Sequence, residues 1–274
     1  MNLLGHYSEV LEAANGIWVQ IESMPEQSEQ DEAVSIWDVK ELILDTGRTA
    51  AMRSESYNQA LELNAKLLEL KMARGVSELE LARTAFTDYF PLIRLGRHIQ
   101  AEKLLWNCKK VFDGERDVKY LGKVFAALAD LEYGLGHIDE AIKLENAAMR
   151  YSYLSGDTED ISIIHHNMGT YLLKAGSEKA LAHHLAAGII FYETDSGLLP
   201  SAIHDMLKDL HKFGPLSMPA NFDQLCLIVD AVEGVIFRDL LQSLVGPKAD
   251  GDQVMQKIIE MAKEAGYEKE LEKK

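Results

Sequence analysis

The sequence predicts an all-α protein: a right-handed superhelix of helical hairpins closed at both ends by helical caps. Three observations carry that expectation. Only six prolines interrupt 274 residues in which Ala, Leu, Glu and Lys, all good helix formers, abound. Gly96, Gly136 and Gly176 stand forty residues apart, each preceded by an apolar helical run. Each is also followed within a few residues by a small residue, Ala101, Ala141 or Ala180, that opens a second amphipathic stretch. Glycine permits the left-handed backbone that ends a helix, and alanine lets two helix axes approach closely.

Residues 1–34 read as an N-terminal capping helix carrying Leu3, Leu4, Tyr7, Val10, Leu11, Ala14 and Trp18, followed by the acidic loop "ESMPEQSEQDEA". Residues 35–197 form the array. Its first helix holds Ile36, Trp37, Leu42, Ile43 and Leu44, with Gly47 expected to loosen or divide it. Its second begins near Tyr57 and Ala60, where a step of forty back from Gly96 lands on Ser56 and no glycine marks the turn. Pro91 is expected to kink the next helix. The connectors "DGERDV" and "GDTED" place acids at helix N-termini, where capping and the helix dipole favour them. Residues 198–274 read as a C-terminal helical cap in which "DQLCLIVDAVEGVIFRDLLQSLV" is one strongly apolar helix.

The net charge of −16 repels phosphate backbones and anionic lipid, which excludes nucleic acid and membranes as expected partners. The first residues lack the basic start and long apolar run of a signal peptide, and no segment reaches the roughly 20 apolar residues of a membrane span. Cys108 and Cys226 each sit within an apolar stretch and read as buried, reduced thiols of a cytoplasmic protein.

The stretches "YGLGHIDEAIKLENAAM" and "NMGTYLLKAGSEKALAHHLAA" resemble tetratricopeptide repeats, with Gly169 as the small residue inside a first helix. The resemblance covers about residues 35–190, with a period longer than that family's usual 34 residues. Together with "FDQLCLIVDAVEGVIF", the second stretch also resembles the repeat arrays of bacterial signal-transduction ATPases with numerous domains and of caspase-like CHAT proteins. That resemblance implies a sensing or scaffolding role in signalling or defence.

Catalytic signatures are missing: there is no phosphate-binding loop, no G-x-S-x-G and no H-E-x-x-H. The expectation is a protein that is not an enzyme and has no cofactor. The pairs His165-His166 and His183-His184 flank Gly176. Adjacent helical residues point about 100° apart, so one member of each pair is expected to look across the hairpin, His165 toward His184. His166 is then directed to the concave side. No acid or cysteine lies one helical turn from either inward imidazole, so no metal site is expected.

Binding in the concave groove of the first helices is the functional expectation. By register its residues are Arg83, Phe86, Phe90 and Arg94, then Lys123, Asp130 and Tyr133, then His166, Thr170 and Lys174, with Arg53 and Ala126 beside them. Arginine and lysine suit carboxylates and aromatic rings give low-entropy contact area, so the expected partner is a protein or peptide, in the sharpest form an acidic or C-terminal segment. The competing readings are a homodimer formed through the C-terminal helices, a small-ligand sensor, and ordinary solvated helix faces.

Overall fold

The computed structural model describes residues 3–24, 36–248 and 250–267. The acidic loop from residue 25 on and the side chains of Leu3, Leu4, Ile36 and Trp37 lie outside the described residues. The described residues are helix and turn with no strand, as the composition predicts. The chain divides into two compact units, Met1–Arg116 and Asp117–Lys274.

The period of the fold is written in the backbone. Residues with positive φ close successive helices at Glu55, Gly75, Gly96, Arg116, Gly136, Gly156, Gly176 and Asp195, at intervals of 19 to 21 residues. One helix and its turn therefore occupy about twenty residues, and a hairpin occupies the forty read from sequence. Glu55 takes the left-handed conformation at the turn where the glycine is missing.

In the first unit, α1 (Leu3–Ile21) packs on α2 (Ile36–Arg53), and α2 packs on α3 (Tyr57–Arg74). The buried Lys40 ammonium donates to the carbonyl oxygens of Glu22 and Met24 at the end of α1, at 3.0 and 2.9 Å. The helix α2 runs unbroken through Gly47, contrary to the expected division, because the glycine serves packing. A Cβ there would stand 3.3 Å from both Ala14 and Leu63. Then come α4 (Glu78–Phe86), α5 (Tyr89–Arg94) and α6 (His98–Gly114). The helical break falls at Thr87 and Asp88, just ahead of Pro91, whose ring and missing N–H oppose continuation.

In the second unit, α7 (Val118–Leu135), α8 (Ile138–Ser155), α9 (Thr158–Ala175), α10 (Lys179–Glu193) and α11 (Leu199–Phe213) pack as consecutive neighbours. Asp117 and Asp157 cap α7 and α9 by accepting from Tyr120 N and Asp160 N, the role predicted for acids at helix starts. The stretch predicted as one apolar helix is two, α12 (Phe222–Val229) and α13 (Phe237–Val245), turned through Gly234 so that Leu225, Val229, Phe237 and Leu241 all reach one core. With α14 (Gly251–Ala262) these helices pack on α10, and every residue of α10 from Ala180 to Phe191 is consequently buried.

Each hairpin's second helix repeats one feature. Four residues after its small alanine stands a side chain with no exposed surface: Asn64 after Ala60, Leu105 after Ala101, Glu145 after Ala141, and His184 after Ala180. The slot is thus apolar once and polar three times.

Candidate functional site

Four histidines meet where α9, α10 and α11 pack. Because α10 is covered on all sides, both members of its pair are buried, and the predicted one-inward, one-outward division does not hold for it. The expected pairing is also corrected. His165 meets His183, with Nδ1 atoms 3.1 Å apart, and His166 meets His184, with ring centroids 5.3 Å apart. The reason is Gly169. The His184 ring lies across it so closely that a Cβ at this position would sit 2.6 Å from His184 Nε2. His184 therefore occupies the hole beside Gly169, one turn beyond His165.

The two pairs have different chemistry. Tyr153 Oη and His165 Nε2 share a hydrogen bond of 2.7 Å, and His165 Nδ1 shares another of 3.1 Å with His183 Nδ1, so the neutral His165 ring donates one proton along the chain and accepts one. Burial lowers the His165 pKa to about 3, and burial with neighbouring His165 lowers that of His183, so both rings are neutral. This chain is a satisfied core. The second pair is joined to carboxylates on α11: His184 Nδ1 donates to Asp209 Oδ2 at 2.6 Å, and His166 Nε2 donates to Asp205 Oδ2 at 2.8 Å. Lys208 Nζ donates to the other Asp205 oxygen at 2.7 Å. Burial pushes the Asp205 carboxyl up, but the His166 and Lys208 hydrogen bonds outweigh it and hold the group below the usual range. Burial raises Asp209 despite its bond to His184, and Asp209 Oδ1 has no partner among the described residues.

Beside this cluster a cavity of about 590 Å³ opens between α7, α9 and α11. Three of the predicted groove residues, Tyr133, Thr170 and Lys174, line it, together with Leu173 and α11's Asp205, Lys208 and Lys212. Lys212 is fixed by donating to the Leu173 carbonyl at 2.5 Å. His166 lies behind the wall, held by Asp205. Lys123 is engaged with Asp160 at 3.2 Å, and Asp130 accepts from Tyr171 Oη at 2.5 Å beneath the ring of Tyr133. Ala126 is half-buried against the core of α8 and α9.

The first unit has its own cavity, of about 460 Å³, lined by Arg53, Tyr57 and Phe90 among others. Phe90 meets Tyr57 edge-on, and Arg94 Nε donates to Tyr57 Oη at 3.3 Å. Arg83 is exposed on α4 and does not line this cavity. Phe86 is a correction: it is buried against Tyr89 and Phe112 and serves the core, because the break at Thr87 turns α5 relative to α4 and leaves Phe86 on the packing side.

This arrangement of hairpins has a solved counterpart. The fold is similar to that of the crystal structure of BtubC (BKLC) from P. vanneervenii. The TM-score is 0.55 and the identity 12%, over 90% of this chain and 92% of that one. No family model and no curated protein matches the chain.

The charged residues missed in sequence come from α11. Asp205 and Asp209 lie in the region read only as a cap, and Asp205 stands 39 residues beyond His166 in the chain. A signal was present. Ala202, Met206, Asp209 and Leu210 form the buried stripe of α11, so Asp209 is an acid on an apolar face, which requires a buried donor opposite.

Proposed function

We propose that the chain is a tetratricopeptide-like protein- or peptide-binding module, acting by binding and not by turnover. Its site is the cavity between α7, α9 and α11, and its ligand is a segment bearing carboxylates. One observation carries this reading: in a chain of net charge −16, Lys174, Lys208 and Lys212 gather at one cavity that also presents Tyr133. Such a local reversal of charge favours an acidic ligand by short-range pairing, while the overall field disfavours polyanions such as nucleic acid. The resemblance to bacterial signalling arrays supports a sensing or scaffolding role in a signalling or defence system. Two buried thiols, with burial pushing Cys108 and Cys226 up to about 11, suit a cytoplasmic setting.

Fluorescence polarisation with labelled acidic and neutral peptides tests the reading. Acidic peptides should bind, and Lys174→Glu/Lys212→Glu should weaken them at least about tenfold, the loss of roughly one strong charged contact. Equal binding by wild type and variant would remove the cavity as the site. The homodimer reading has less apolar surface to draw on, since Leu225, Val229, Phe237 and Leu241 pack within the chain while Leu227 and Ile236 stay exposed. Light scattering over a dilution series should accordingly give a monomer mass.

A further inference from the structure

We propose that His166, His184 and Asp205 form a binding site for zinc or a similar first-row divalent ion, with Asp209 as the residue that orients His184. One donor atom from each of the three side chains lies within 4.8 Å of the others. Ligands about 2.0–2.2 Å from a tetrahedral zinc ion stand about 3.3 Å apart, so closing the site requires movements of about 1 Å. Two imidazoles with one carboxylate is a donor set that suits zinc and its neighbours over magnesium or calcium.

The protonation pattern points the same way. His184 gives its Nδ1 proton to Asp209 at 2.6 Å, which leaves Nε2 as a bare lone pair on a fully buried ring. Thr170 Oγ1 is 3.4 Å from that nitrogen and already donates to the His166 carbonyl at 3.1 Å, so the lone pair has no strong partner. A carboxylate on the far nitrogen of a metal-binding histidine is the usual means of fixing its tautomer and raising its basicity. At the second histidine, Nε2 and Asp205 Oδ2 hold one proton between them at 2.8 Å. A metal ion would replace that proton, releasing it on binding. Lys208 sits on the other Asp205 oxygen and leaves Oδ2 for the ion.

Of the three ligands Asp205 also lines the α7–α9–α11 cavity, as does Thr170 beside His184. The site is therefore of the kind with three protein ligands and one exchangeable position, taken by water or by a ligand carboxylate. The cavity supplies the entry path. The inference does not depend on a peptide occupying that cavity.

Titration of untagged, metal-stripped full-length protein with Zn²⁺ against a chromophoric chelator tests it. Wild type should take up one equivalent per chain. His166→Ala and Asp205→Ala should each lose about a hundredfold or more in affinity, and Asp209→Asn about 10–100-fold. His204→Ala, on the exposed side of α11, should leave uptake unchanged. Melting curves in chelator should show both variants cooperatively folded at the assay temperature, with a lower midpoint where the Asp205 bonds to His166 and Lys208 are lost, and Asp205→Asn is the replacement if Asp205→Ala does not fold. No stoichiometric uptake by wild type would overturn the site, as would uptake that either first-line variant retains. Zinc is read without peptide and peptide with chelator present, so either reading can fail alone.

Discussion

Asn64 in the first unit and His184 in the second occupy the same slot of their hairpins, and each donates to an aspartate further along the chain, Asp88 half-buried in the break between α4 and α5 and Asp209 buried on α11. Asn64 Nδ2 donates to Asp88 at 2.9 Å and to the Thr84 carbonyl at 3.1 Å, while His184 donates to Asp209. The aspartates lie 24 and 25 residues further along the chain. The difference is in what surrounds each pair. In the first unit Arg48 closes the network, donating to Asn64 Oδ1 at 3.0 Å and to Thr87 Oγ1 at 2.6 Å, so the amide oxygen is satisfied. In the second no guanidinium joins the pair among the described residues: His184 Nε2 has a long 3.4 Å contact with Thr170 Oγ1, and Asp209 Oδ1 has no hydrogen-bond partner. A repeated slot thus yields a structural clamp where a guanidinium is supplied and an ion site where it is not.

The largest break in this comparison comes from Gly169→Ala. The new Cβ would stand 2.4 to 2.7 Å from the His184 ring, which is fully buried and held by Asp209, so neither side can yield cheaply. Urea denaturation should show a loss of about 3 kcal/mol, the upper part of the overpacking range. A loss under about 1 kcal/mol would mean that His184 does not lie over the glycine. In the first unit, Asn64→Leu copies the apolar choice of Leu105 but strands Asp88, Thr84 O and Arg48, and a cost of about 2–3 kcal/mol is expected.

The hairpin architecture was legible in sequence because its signals are local: glycines forty apart, alanines after them, capping acids before helices. The slot was legible only by position. Its contents depend on partners 16 to 25 residues away, which periodicity within one hairpin cannot supply. His165 and His184 were correctly placed inside, but their partners were not, because a helix covered on every side has no outward face to constrain the register. Phe86 failed for a different reason, the break at Thr87, whose place Pro91 marks only to within a few residues.

Glu145 is the slot's third polar occupant and sharpens the comparison, since it has neither arrangement. It is fully buried, and the Asn167 side chain approaches its carboxyl too loosely to offset that burial. Burial, and then the nearby charge of Asp130, raise its pKa well above the ordinary value. The folded chain therefore binds this proton more tightly than the unfolded chain, and stability falls as pH rises from the ordinary carboxyl range toward the raised value. Glu145→Gln should remove that dependence and stabilise the protein by about 1 kcal/mol at pH 8 in chemical denaturation. Destabilisation at that pH would show that the ionised carboxylate is paired.

The smallest effect is expected at Asp88, where the same sign applies with a cation nearby. Burial pushes Asp88 up to about 6, against the hydrogen bond from Asn64 and the charge of Arg48, which lower it. The folded state again holds the extra proton, so the contribution is greatest below the unfolded pKa near 3.8 and is lost as pH rises through about 6. Partial exposure of the group screens the effect, leaving about 1 kcal/mol between pH 4 and 6.5. Asp88→Asn keeps an oxygen to accept from Asn64 and cannot ionise, so its stability should be flatter across that window than that of wild type. If the two slopes coincide, Arg48 neutralises Asp88 fully, and the contrast with Asp209, which no guanidinium bonds among the described residues, becomes sharper still.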